Sequence, residues 1–134
     1  MKIIIDSNIL FSLLISKNSK FRHILFNAEN KIFSPNFVFS ELFKYKEKIL
    51  KFSKSDEAKV YELLNLILEK IHFVNEELVS LLSRKKAYNL CKDVDENDTP
   101  FLALSIEIDG YLWTGDKVLK NHLIKNGFNK ILEY

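Results

Sequence analysis

Little in this chain of 134 residues bends, bridges or anchors. Three glycines and two prolines leave no room for a flexible linker or a disordered tail. The glycines are all isolated, so a glycine-rich phosphate loop is absent. The single cysteine, Cys91, excludes an internal disulfide and lacks companions for a zinc site. It reads as a small apolar residue on a helix face. No apolar run approaches the ~18 residues of a transmembrane helix. The apolar start is broken by Asp6 after three isoleucines, short of a secretory-signal core of roughly 7–15 residues. These absences predict a cytoplasmic protein without membrane association. A net charge of +2 is too small to argue for nucleic acid by itself.

What is present is the material of an ordinary globular protein, with 47% hydrophobic and 28% charged residues. The length predicts a single domain, 1–134, able to bury a proper core. Lys2 to Ile5 reads as a short buried strand, and Asn8 to Ile15 as a helix. Ser19 is placed to cap a second helix, Lys20 to Ala28, and Ile32 with Phe33 makes a second strand ended by Ser34-Pro35. A helix over Asn36 to Leu50 carries Glu41 in its second turn. The strongest periodicity follows Ser55, Asp56 and Glu57, with Val60, Leu63, Leu64, Ile67, Leu68 and Ile71 forming a continuous stripe. His72 to Val74 is a third strand. Asn75 caps a helix predicted to run through Leu78, Leu81 and Leu82 to Cys91. Thr99-Pro100 starts a helix that ends at Asp109-Gly110. A fourth strand, Tyr111 to Trp113, precedes a helix over Lys117 to Asn126 with Gly127 after it, and Lys130 to Glu133 reads as a last strand. Strands alternating with helices predict an α/β fold with a mainly parallel sheet and helices on both faces.

In such a sheet the strand-to-helix turns open on one edge, where ligand sites lie. Asp6 and Asp116 each follow a predicted strand, Asp98 stands at a helix start, and Glu41 lies one turn into the helix after the second strand. Asp6 or Ser7 also has the ordinary job of capping the next helix. Four carboxylates brought to one edge repel and raise each other's pKa unless something positive sits among them. One or two hard divalent cations, Mg²⁺ or Mn²⁺, suit such an all-oxygen set, whereas zinc prefers His or Cys. His23, His72 and His122 lie outside these turns and read as surface or packing residues. A carboxylate-held cation activates water and clamps the oxygens of an in-line phosphoryl displacement, so the chemistry implied is phosphodiester hydrolysis.

The segments Ile4-Ile5-Asp6-Ser7-Asn8, Ser40-Glu41-Leu42, Asp98-Thr99-Pro100-Phe101-Leu102-Ala103-Leu104-Ser105 and Leu112-Trp113-Thr114-Gly115-Asp116 occur in that order. With this spacing the sequence resembles the PIN-domain family of metal-dependent ribonucleases across essentially its whole length. The resemblance implies a three-layer sandwich whose five-stranded sheet has the order 3-2-1-4-5. It implies Asp6, Glu41, Asp98 and Asp116 as the acidic metal-binding set, with Asn8 and Thr114 as polar supports. Asp95, three residues before Asp98, is the alternative ligand of its loop; Asp98 is preferred because it adjoins the Pro100 helix start.

Lys44 and Lys48, in a lysine run after Glu41, and Arg84 with Lys85, in a second basic run, are candidates for holding an RNA backbone, although solvated helix faces are the plainer reading. A haloacid-dehalogenase-like phosphatase needs a second aspartate two positions after the first, and here that residue is Asn8. Small prokaryotic PIN proteins are often toxins of toxin–antitoxin pairs. The resemblance therefore implies an endoribonuclease toxin, an antitoxin partner and a homodimer. The alternatives are a housekeeping RNA-processing nuclease and a PIN-like module that binds RNA or protein without cutting.

Overall fold

A computed structural model describes residues 1–134. Its four strands are β1 (Lys2–Ile5), β2 (Lys31–Pro35), β3 (Ile71–Val74) and β4 (Tyr111–Trp113). They form one parallel sheet in the order β3-β2-β1-β4. β1 lies inside it, pairing Ile3 with Ile32 and Ile4 with Leu112. Ile3, Ile4 and Ile5 are all fully buried. That is why the strand reads as an unbroken apolar run: a strand covered on both faces has no wet side for alternate polar residues.

The helices are α1 (Ser7–Ile15), α2 (Ser19–Phe26), α3 (Phe37–Phe52), α4 (Glu57–Glu69), α5 (Leu81–Cys91), α6 (Thr99–Ile108) and α7 (Lys117–Lys125). They sort into two packed groups: α1 contacts α2, α3 and α4, while α5 contacts α6 and α7. Parallel strands with flanking helices make the α/β sandwich expected from the residue pattern.

Local chemistry explains most boundaries. Asp6, Asp56, Ser80 and Asp116 cap α1, α4, α5 and α7, each side chain accepting the backbone N–H three residues on. α6 ends where Asp109 turns left-handed and Gly110 follows. A Cβ at Gly110 would meet Ile4 Cδ1 at 2.5 Å and the Lys2 carbonyl oxygen at 3.2 Å, so the tight approach of this turn to β1 favours glycine. The Ser105 hydroxyl closes the same turn by donating to the Gly110 carbonyl at 2.6 Å.

Three expectations are revised. α2 is capped by Asn18, whose side chain accepts from the Phe21 N–H, and not by Ser19. The helix expected over Asn75 to Cys91 is split, because a 3₁₀ turn over Glu76–Leu78 ends at Val79 and Ser80 starts α5 afresh. Glu107 fixes that break by accepting from both Ser80 and Ser83, at 2.8 and 2.5 Å. The last strand shrinks to a single parallel bridge between Leu112 and Ile131. The Ile131 N–H bonds back to the Asn129 carbonyl, a tight local turn that keeps the segment from extending.

Candidate metal and nucleic-acid site

Asp6 leaves β1 at its carboxyl end and is only 5% exposed. Its N–H donates to the Trp113 carbonyl at 3.2 Å, tying it to β4, and its Oδ1 accepts from the Ile9 N–H at 2.8 Å. The side chain is thus held by the first turn of its own helix. Thr114, fully buried after β4, accepts the Asp116 N–H at 3.2 Å, and Asp116 Oδ1 accepts from Leu119 at 3.1 Å. Asp98 sits at the junction of a 3₁₀ turn, Glu96–Asp98, with α6. Asp95 organises that turn by accepting from the Asn97 N–H.

The capping role read for Asp6 is therefore real, and the same residue also lines a cleft. An open cleft of about 450 Å³ is walled by Asp6, Asn8, Glu41, Asp95 and Asp98 together with Lys44 and Lys48. Asp116 is not on that wall, yet its charge is felt at both Asp6 and Asp98. Burial pushes the Asp98 carboxyl up to about 7, and the charges of Asp95, Asp6, Asp116 and Glu41 add to the shift. Burial also raises Asp6 to about 6, opposed by the Thr114 hydroxyl and the Ile9 N–H and reinforced by Asp116. No ammonium or guanidinium is ion-paired with any of these acids; the one salt bridge joins Lys130 to Asp109.

Arg84 and Lys85 fall elsewhere, against Tyr88 and Asn89. Arg84 is also committed to structure, donating to the carbonyls of Val79 and Glu77 at 2.9 and 3.2 Å. None of the three histidines lines the cleft.

Ser7, Phe11, Tyr45 and Phe52 line the cleft as well, although none was read from the sequence as a site residue. Ser7 lines it with a buried hydroxyl that has no partner. Phe11 and Tyr45, both in its lining, meet edge to face with ring centroids 5.7 Å apart. Glu41, Lys44, Tyr45, Lys48 and Phe52 all face it from α3. Their spacing of i, i+3, i+4, i+7 and i+11 is that of one helix face, a signal present in the sequence.

The donor chemistry fits a hard divalent cation: carboxylates crowded with no ammonium or guanidinium ion-paired to them, an orphaned buried hydroxyl beside them, and no histidine or thiol. As the side chains stand, no three carboxylates close on one ion-binding point. The cation would be held across the opening by acids drawn from β1, α3, α6 and the turn after β4.

Comparison with known proteins decides the family. A family model described as the PIN domain matches residues 4–129. The chain belongs to the PIN-domain family. Members are in general divalent-metal-dependent nucleases. Among solved structures, this PIN domain is similar to the crystal structure of VapBC2 from Rickettsia felis bound to a DNA fragment from their promoter. The TM-score is 0.70 at 15% identity, over 98% of this chain and 96% of that one, a likeness of fold. No curated protein matches the sequence. No helix of the PIN domain is long and apolar enough to cross a membrane.

Proposed function

We propose that this PIN domain is an endoribonuclease that hydrolyses RNA phosphodiester bonds with Mg²⁺ or Mn²⁺, and that it serves as the toxin of a toxin–antitoxin pair. The observation that carries the nuclease reading is the crowding of Asp6, Glu41, Asp95 and Asp98 on one cleft, where the charge of Asp116 is also felt and no lysine or arginine is ion-paired to any of them. Asp6, Asp98, Asp116 and Glu41 are the residues that would hold the ion. A divalent cation bound there supplies Lewis-acid stabilisation of the charge that develops on the scissile phosphate.

The chain's own side chains do the rest. Helix capping fixes Asp6 and Asp116 in position, and Thr114 supports both. Asn8 stands exposed at the mouth of the cleft, where its amide can bind the RNA or a water. Asp98 is the principal ligand of its loop because it is half-buried and feels every other acid, whereas exposed Asp95 shapes the turn. Lys44 and Lys48 offer ammonium groups to the RNA backbone along α3. The toxin assignment is supported by the likeness to VapBC2 and carries with it a cognate antitoxin and a second copy of the chain as partners.

The test is cleavage of a mixed single-stranded and structured RNA pool with Mn²⁺, with Mg²⁺ and with chelator. Asp6→Asn and Asp98→Asn proteins run beside the wild type. Metal-dependent cutting lost in both variants is the expected result; cutting by either variant, once free of contaminating nuclease, refutes the site. Expression in a bacterial host should arrest growth for the wild type and not for Asp98→Asn. Active enzyme that leaves growth unaffected points instead to RNA processing.

A further inference from the structure

On the β4 side of the opening, away from Lys44 and Lys48, two more lysines converge on one aromatic ring. Lys20, in the first turn of α2, and Lys120, one turn into α7, place their ammonium groups 5.8 and 4.7 Å from the centre of the Tyr134 ring. The ring is itself anchored. It packs edge to face on Phe21 and Trp113, with centroids 5.2 and 6.4 Å away, and its hydroxyl donates to the Thr114 carbonyl at 3.2 Å. Thr114 opens the turn that delivers Asp116, and Asp6 lies near enough for its charge to add to the effect of burial on the Tyr134 phenol. This aromatic and basic cluster therefore stands at the same edge of the sheet as the carboxylates.

Neither lysine has a carboxylate partner, since Lys130 and Asp109 form the one salt bridge. Each ammonium group lies within cation–π reach of the ring, whose electron-rich surface attracts it without neutralising its charge. What completes such an arrangement is an anion. The topology says which one belongs there. β2 and β4 flank β1 on opposite sides, so α3 carries Lys44 and Lys48 to one side of Asp6 while Tyr134 gathers Lys20 and Lys120 on the other. A chain with regularly spaced negative charges, crossing the acidic opening, meets positive charge before and after it.

We infer that Lys20 and Lys120, gathered by Tyr134, form a second backbone subsite for single-stranded RNA, gripping phosphates on the β4 side of the scissile bond. The inference rests on the ribonuclease reading above. It gives that reading a direction: the RNA lies across the strand ends from α3 to Tyr134, and the scissile phosphate is centred over the acids.

The experiment measures binding of a fluorescein-labelled, unstructured RNA 15-mer in chelator, as a function of salt. Wild type is compared with the Lys20→Gln/Lys120→Gln pair and with Lys31→Gln/Lys70→Gln. The second pair removes the same charge from exposed positions at the opposite edge of the sheet, where β2 and β3 begin. Each single-strand phosphate contact contributes about 0.7 to the slope of log affinity against log salt. Losing two should flatten the slope by about 1.4 and weaken binding about tenfold at low salt. The control pair should keep the wild-type slope. An unchanged slope for Lys20→Gln/Lys120→Gln, in a protein whose wild type cuts RNA with Mn²⁺, overturns the subsite and leaves the nuclease standing. A wild type that neither binds nor cuts RNA overturns both. Equal flattening in the two pairs also overturns the subsite, because it reports net charge and no defined contact.

Discussion

Replacing Asp6 by Asn removes a charge that burial opposes while keeping the acceptor that the fold uses. In the metal-free protein the Asp6 carboxyl is held at about 6 against an ordinary 3.8. The folded protein therefore keeps a proton that the unfolded chain has released, so stability falls as pH rises between those two values. It stays lowered above them. Each unit of such a shift is 1.36 kcal/mol, which sets the penalty at about 3 kcal/mol at pH 8. Asn caps helices as well as Asp does, and its Oδ1 can still take the Ile9 N–H. Asp6→Asn should then be more stable than the wild type at pH 8 in chelator, by as much as ~3 kcal/mol or ~10 °C in Tm. Near pH 4 the two should melt together. Saturating Mn²⁺ should narrow or reverse the order at pH 8, since an ion at a hundred times its Kd stabilises the form that binds it by about 2.7 kcal/mol. Thermal unfolding followed by circular dichroism at both pH values, with chelator and with Mn²⁺, reads all of this. If Asp6→Asn is no more stable than the wild type at pH 8 in chelator, the electrostatic account of the opening is wrong.

Other consequences are open to direct measurement. Cys91 is fully buried, and burial together with the charges of Asp98 and Asp95 pushes its thiol up to about 12, so it should resist a thiol reagent at pH 8 until denaturant is added. α3 has no side-chain cap from Asn36 and takes one instead from Glu76, whose carboxylate accepts the Phe37 N–H. Glu76→Ala should cost about 1 kcal/mol in urea unfolding and lower RNA cleavage through the loosened position of Glu41. Gly110→Ala should cost ~1–3 kcal/mol in the same assay, because its methyl group meets Ile4 and the Lys2 carbonyl.

What was legible in the chain is what depends on near neighbours. The isoleucine run before Asp6 announces a doubly covered strand, and Thr99-Pro100 announces a helix start. The turn from Trp113 to Asp116 places an acid after a strand by local order alone. What could not be read is what depends on contacts across the fold. Nothing near Asn36 says that α3 borrows its cap from Glu76, thirty-nine positions from Phe37. Tyr134 gives no sign in sequence that it draws Lys20 and Lys120 to one ring, because the three residues meet only in space. Arg84 looked as available as Lys44, but its donors go to backbone carbonyls. Tyr45 falls with Val38, Leu42 and Ile49 on one apolar face of α3 by its spacing, and periodicity cannot say that this part of the face borders an open cleft and not the core.

The single bridge at Ile131 bears on how copies of this protein can meet. β4 is three residues long, and the one pairing occupies both outward backbone groups of Leu112: its N–H goes to the Lys130 carbonyl and its carbonyl takes the Leu132 N–H, each at 2.9 Å. That margin of the sheet is sealed by the chain's own tail, so a stray strand from another molecule finds no template there. The margin along β3 is not covered in this way, and it is kept to four residues between Lys70 and Asn75. Edge-to-edge growth into aggregates, if the protein is stressed, must start from β3, and shortness is its guard on that side.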